Sequence, residues 1–240
     1  MSAYGAAIQR YPPSTSEPPT LLPRSYPLPN STDKALTVFP VTRATVSDEL
    51  VEYLRTVFND VVDEGRTYPQ VGEQTFEQFA AYFFGADCFV GVLDVQTPEI
   101  TSATVTGIER DPQQVTLEGV RAGRDWKDCV LGMYYIKPNY PGRASHNCNG
   151  GFVVPTVHRG LKVGLTLGRS YLYFAPILGY KGSVFNLVFV NNTASLKIWD
   201  QLGFTRAGLI PKAGLLKTVD GKAEEYVDAV VFHYDFTASR

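Results

Sequence analysis

One stretch, Asn147 to Phe204, constrains the fold of this 240-residue chain more than any other. It reads as strand, tight turn, helix, strand, helix. Gly151–Phe152–Val153–Val154 is an apolar strand, and His158–Arg159–Gly160–Leu161–Lys162–Val163–Gly164 is the turn. A helix is predicted to about Ala175, stopped by Pro176, which has no amide to donate and clashes one turn back. Val184–Phe185–Asn186–Leu187–Val188–Phe189–Val190 is a second apolar strand, broken by one asparagine. A last helix opens at Asn192, a good cap residue, and closes at Gly203, with Ala194, Ile198 and Leu202 on one stripe. A glycine-bearing turn between strand and helix exposes backbone N–H groups at the positive end of the helix, which is an anion site, or else an ordinary connection. Arg159 adds charge there.

The segment from Asn192 to Phe204 has the form N-x-x-small-x-x-x-aromatic-x-x-x-G-F. Together with the upstream turn it resembles the GCN5-related N-acetyltransferase superfamily. The resemblance covers about residues 35–240 and implies that family's fold: an α/β domain with a twisted, mixed, mostly antiparallel sheet of about seven to eight strands. Helices cover both faces, and the two central strands splay apart. It also implies acetyl-CoA as co-substrate and no metal. The family's R-x-x-G-x-G turn cradles the pyrophosphate, which assigns Arg159, Gly160, Leu161, Lys162, Val163 and Gly164 to the cofactor. Two departures stand out. Lys162 occupies the place of the middle glycine. Trp199 replaces the family's frequent tyrosine, and an indole donates a hydrogen bond but supplies no proton.

Asn147–Cys148–Asn149–Gly150–Gly151–Phe152 and Phe185–Asn186–Leu187 look like the fungal L-azetidine-2-carboxylate acetyltransferases, which acetylate the ring nitrogen of proline analogues. That resemblance implies that Asn149 holds the substrate and that the backbone amides of Asn186 and Leu187 receive its carboxylate. Asn192 faces the sulfur of acetyl-CoA as the catalytic residue, and the strand Phe152, Val153 and Val154 binds the cofactor. Arg66 and Tyr68, in the loop after the first helix, reach the substrate in this reading; otherwise they belong to a structured turn. Direct transfer leaves the general base unassigned. His146 and His158 are the nearest titratable residues, and a water chain or the rare free amine would also serve. Two other readings stay open: acetylation of a protein or peptide amine, and a non-catalytic acetyl-CoA-binding module. Family members often pair, so a homodimer is an expectation.

Composition agrees with one globular domain: 44% hydrophobic and 19% charged residues, with a net charge of −2. That balance argues against a duplex-binding surface, and no apolar run is long enough to span a bilayer. The three cysteines, Cys88, Cys129 and Cys148, form neither a disulfide framework nor a zinc pattern. Cys88 and Cys129 read as core thiols in strands; direct transfer gives Cys148 no nucleophilic task. The thiols suit a reducing compartment, cytoplasmic, with a mitochondrial address as the alternative. Residues 1–34 read as a Pro-rich tail, since seven of the sixteen prolines lie in the first thirty positions.

The domain is expected over 35–240. Leu36–Arg43 reads as a strand that Pro40 either places at an edge or ends early. A helix starts at Ser47, and a second covers Thr75–Phe84. Asp87–Asp94 and Cys129–Lys137 read as strands, and an inserted hairpin is expected within 96–127 from its β-branched runs. Arg206–Leu216 and Glu225–Phe236 close the chain as two strands.

Overall fold

The structure is a computed structural model that describes residues 19–103 and 105–238. Its first long helix begins as its sequence dictates. The Ser47 hydroxyl accepts the Leu50 N–H, Asp48 and Glu49 face the positive end, and Gly65 closes the helix in the left-handed conformation. This is α1 (Asp48–Glu64), preceded by β1 (Arg24–Pro27) and β2 (Lys34–Val41). Then come α2 (Phe76–Phe83), opened by a Thr75–Gln78 capping box, and β3 (Asp87–Val95). Three short helices follow, α3 (Pro98–Ser102), α4 (Leu117–Arg121) and α5 (Trp126–Cys129), with β4 (Ile108–Glu109) between the first two. The remainder is β5 (Val130–Pro138), β6 (Asn147–Val153), α6 (Val163–Ile177), β7 (Gly182–Phe189), α7 (Thr193–Gln201), β8 (Thr205–Lys217) and β9 (Glu224–Asp235).

The strands form one nine-stranded sheet in the order β4-β1-β2-β3-β5-β6-β7-β9-β8. Every neighbouring pair is antiparallel except β6 and β7, which run parallel. Each face carries its own core. On one, Leu167, Tyr171 and Phe174 of α6 pack with Phe89, Tyr134 and Ile136. On the other, Leu50, Leu54 and Phe58 of α1 and Phe79 and Phe83 of α2 pack with Val90, Met133 and Tyr135. Alternate residues of β5 thus serve opposite cores, as the two-residue period of a strand requires.

Several expectations need correction. The sheet has nine strands rather than seven or eight, because 24–27, read as tail, form β1 against β2. Residues 1–18 lie outside the described residues. The hairpin expected within 96–127 is absent among the described residues there. Thr97 and Thr116 instead accept the N–H groups of Ile100 and Gly119 and start helices, and Pro98 sits where a first helical turn favours it. Pro40 is not on an edge strand, since β2 lies between β1 and β3; yet β1 pairing stops at Val38, so β2 is locally one-sided there. Pro176 lies inside the last turn of α6 rather than beyond it. Cys129 ends α5 rather than lying in a strand, although it is buried as expected. Among the described residues no helix is long and apolar enough to cross a membrane.

Candidate active site

The parallel pair β6 and β7 holds the site. Only Asn147↔Gly182 and Cys148↔Ser183 are in register; beyond them the strands part. On its other side β7 bulges between Phe185 and Val188, so Asn186 and Leu187 have no register partner on β9 either. Strand backbone without a ladder partner calls for another partner. Three rings keep the strands from closing. Trp199 of α7 lies 4.5 Å from Phe185 of β7 and 5.0 Å from Phe152 of β6, centroid to centroid. Trp199 fits close to α6 because Gly164 and Gly168 lie opposite α7. A Cβ at Gly168 would stand 2.5 Å from a Leu202 methyl. The resulting cleft is about 1160 Å³, bounded by β5, β6, β7, the loop after α1, the start of α6 and α7.

The floor is a carboxamide cluster. Asn149 donates Nδ2–H to Asn139 Oδ1 at 3.0 Å, and Asn186 donates to the same oxygen at 2.5 Å. Asn139 returns a bond from its Nδ2 to Asn186 Oδ1 at 3.1 Å, and the Tyr140 hydroxyl donates to that oxygen at 3.4 Å. The Asn186 Oδ1 thus accepts two bonds, while one of its two Nδ2 hydrogens is used and the other has no protein acceptor among the described residues. Asn149 keeps its Oδ1 free of protein donors. Asn139, 7% exposed, is the hub. Sequence reasoning missed it, because an asparagine after Pro138 reads as a turn residue.

The roof comes from the loop after α1 and from α2. Tyr68 donates its hydroxyl to the Phe152 carbonyl at 3.2 Å, and Gln70 donates to the Tyr82 hydroxyl at 3.2 Å. The Tyr82 and Tyr135 hydroxyls are 3.0 Å apart. Burial pushes the phenols of Tyr68, Tyr82 and Tyr135 up, so all three are neutral near pH 7. Lys137 lies over these rings, its Nζ 4.4 Å from the Tyr82 centroid and 4.1 Å from that of Tyr135. Burial lowers its ammonium to about 8. It too escaped sequence reasoning: a lysine closing an apolar run reads as a strand end in water, and the rings that bury it come from elsewhere. Three buried polar atoms of cleft-lining residues, Arg66 Nε, Gln70 Oε1 and Asn191 Oδ1, have no protein partner.

At the other end lies the turn. Gly160 has φ 85° and Lys162 has φ 61°. Lys162 thus adopts the left-handed conformation that glycine takes without strain, which gives a backbone reason for glycine at this place in the family pattern. Lys162 is also the cap of α6, which has no side-chain cap, so first-turn N–H groups remain available. Arg159 lines the cleft, but Glu64 of α1 holds its guanidinium at 2.9 and 3.1 Å. At the mouth of α7, Asn192 Oδ1 accepts the Ser195 N–H at 3.1 Å, which fixes the amide and leaves Nδ2 without a protein acceptor. The Trp199 indole N–H is spent on Ser195 Oγ at 2.9 Å.

The cleft brings together Arg66, Tyr68, Asn149, Phe152, Val153, Val154, Arg159, Gly160, Lys162, Val163, Gly164, Asn186, Leu187 and Asn192. Leu161 is the exception: its side chain is 39% exposed and does not line the cleft. His146 is also outside it, with Nδ1 3.1 Å from the Arg143 carbonyl. His158 lines the turn end, where Nε2–H donates to the Lys127 carbonyl at 3.0 Å. Cys148 is buried away from the cleft, its Sγ 3.0 Å from the Tyr171 hydroxyl.

The parallel pair parts beyond two register pairs, β7 bulges on its β9 side, and an uncapped helix N-terminus lies at one end of the cleft. The chain belongs to the GCN5-related N-acetyltransferase family. It is 43% identical over 189 residues to N-acetyltransferase aca1 of Schizosaccharomyces pombe, covering 79% of this chain and 81% of that protein. A GCN5-related N-acetyltransferase from Kribbella flavida superposes with a TM-score of 0.60 at 25% identity, over 83% of this chain and 97% of that one. A phosphinothricin acetyltransferase from Sinorhizobium meliloti, in complex with acetyl-CoA, shares the fold at 13% identity. Its TM-score is 0.58, over 85% of this chain and 92% of that one. No protein-family model matches the chain.

Proposed function

We propose that this N-acetyltransferase moves the acetyl group of acetyl-CoA directly to the nitrogen of a small amino acid-like amine, a proline analogue such as L-azetidine-2-carboxylate. The parting of β6 and β7 over a carboxamide floor carries the reading. Acetyl-CoA is a co-substrate consumed in each turnover, and the residues present suit it. The N-terminus of α6 and the open turn at Gly160 suit a pyrophosphate. The unpaired edge from Phe152 to Val154 suits the amides of a pantetheine arm.

Each role follows from what its atoms have left to give. Asn149 retains an acceptor, Oδ1, which suits the N–H of an amine. Asn186 has spent its Oδ1 and one Nδ2 hydrogen on Asn139 and Tyr140, keeping one side-chain N–H. That N–H and the unregistered backbone of Asn186 and Leu187 suit a carboxylate. Asn192 retains a donor, Nδ2, which suits the sulfur as the C–S bond breaks and charge develops there. Trp199 has no donor to spare. Holding both substrates in one cleft makes the step effectively unimolecular.

The test is free-thiol release from acetyl-CoA over a panel of amines: azetidine-2-carboxylate, proline analogues, their methyl esters, primary amino acids and lysine peptides. Turnover is expected with the cyclic amino acids and reduced with their esters. Turnover with lysine peptides alone would assign a protein amine, and acetyl-CoA binding without turnover would leave a binding module.

A further inference from the structure

The reaction needs a group to take the amine's proton, and the residues lining the cleft narrow the choice. Glu64 is engaged by Arg159 and by the Thr156 hydroxyl, at the turn end. His158 is at that end too, bonded to Lys127. Arg66 and Arg159 do not deprotonate in proteins. The phenols of Tyr68, Tyr82 and Tyr135 are already protonated and so take no proton from the amine, and the Tyr140 hydroxyl donates to Asn186 Oδ1. Lys162 and Lys197 belong to the turn and to α7 rather than to the carboxamide floor.

Lys137 stands apart from all of these. It pairs in register with Asn149 across β5 and β6, so the two side chains project from the same face of the sheet. Two residues on, Asn139 binds Asn149 on that face. The titratable groups facing Lys137 are the phenols of Tyr82 on α2 and Tyr135 on its own strand, with Tyr68 behind them. Arg66 lines the same cleft. No carboxylate pairs with Lys137 among the described residues. An ammonium buried without a counter-charge sheds its proton more readily, the lost hydration outweighing the attraction of the ring faces for the cation.

We propose that the Lys137 amine is the general base of the transfer, a catalytic residue that receives the proton of the acceptor nitrogen. The neutral acceptor amine attacks the thioester carbonyl and forms the C–N bond, and the carbonyl π pair moves to oxygen. The nitrogen, now cationic, passes its proton to the Nζ lone pair, giving the Lys137 ammonium. The oxyanion then re-forms the carbonyl, the C–S bond breaks, and the sulfur leaves with its electron pair and takes up the proton given back by the Lys137 ammonium, directly or through water, which restores the free amine. Atoms and charge balance without any further reagent. The depressed basicity of Lys137 suits this task, since an acceptor titrating at about 8 is half in its free-base form at that pH.

This inference rests on the transferase reading, so wild-type thiol release is measured first. No release with any amine overturns both. With turnover in hand, Lys137→Arg and Lys137→Met decide the matter. Arginine keeps the positive charge and the stacking but offers no basic form. Both variants are expected to lose about a hundredfold or more in kcat. The wild-type rise of kcat/KM with pH near 8 is expected to vanish from their profiles, leaving only the titration of the amine substrate. Acetyl-CoA affinity by calorimetry is expected within twofold of wild type, because the turn and α6 are untouched. Near-wild-type turnover in Lys137→Arg would make the residue a cation for the substrate carboxylate and overturn the proposal. So would persistence of the limb near pH 8 in Lys137→Met. Should Lys137→Met fail to fold, as its melting curve would show, the arginine variant alone decides.

Discussion

Asn139→Ala removes the side chain that ties the end of β5 to β6 and β7 at the proposed acceptor end. The change deletes three hydrogen bonds: two accepted by Oδ1, from Asn149 and Asn186, and one donated to Asn186. At about 1 kcal/mol net for each, the upper bound is about 3 kcal/mol. Asn149 and Asn186 border an open cleft, so water replaces part of the loss, and about 2 kcal/mol is the expected destabilisation. For a chain of this size that lowers the Tm by about 4–8 °C. The functional effect is more specific. Asn149 and Asn186 lose the bonds that orient them, so KM for the amine is expected to rise about tenfold or more while KM for acetyl-CoA stays within twofold, since its proposed contacts lie elsewhere. A double-mutant cycle with Asn186→Ala is expected to show a coupling on the order of 1 kcal/mol. A melting temperature unchanged in Asn139→Ala, with unchanged KM for the amine, would refute the idea that this side chain organises the floor.

Three further outcomes are expected. Asn192→Ala should lower kcat about a hundredfold or more with little change in KM, since the proposed donation to sulfur matters only as charge develops; wild-type turnover in steady-state kinetics would remove the role. Lys162→Gly should raise stability by about 0.5–1 kcal/mol, the left-handed strain outweighing glycine's greater chain entropy. Denaturant unfolding checks it, and a loss of stability would show the turn to be unstrained. The third outcome concerns pH. The unfolded Lys137 ammonium titrates at 10.5 and the folded one at about 8, so between these values the unfolded chain holds more protons. Stability therefore rises with pH across that window, by at most about 3 kcal/mol, and Lys137→Met should flatten this component in chemical unfolding measured at several pH values.

What the sequence revealed and what it hid have separate physical origins. Asn192 and Gly203 were legible because capping and termination are local, set within a few residues, whereas of the stripe between them Ala194 is exposed and Trp199 is the buried residue. The turn was legible for the same reason. The region 96–127 misled because β-branched residues favour strands on average, while Thr97 and Thr116 used their hydroxyls as caps, and local capping won. β1 went unseen because a four-residue strand between prolines has too little pattern of its own; β2 and β4 make it a strand. Asn139 and Lys137 were hidden for a deeper reason. Their character comes from residues 47 positions away in one case and 55 in the other, Asn186 and Tyr82, and no local pattern encodes such neighbours.

The clasp at Asn139 also bears on selectivity. Its amide reaches Asn149 on one lip of the opening and Asn186 on the other, so the distance between the lips is fixed before any guest arrives. For the cyclic amines proposed as acceptors, a mouth of set gauge would sort by ring size and lose little order on filling. One that closes around its guest would tolerate larger rings and bind each more loosely. Under the proposed function, widening this gauge, rather than altering the groups assigned to the amine, is the change that would admit a bulkier acceptor.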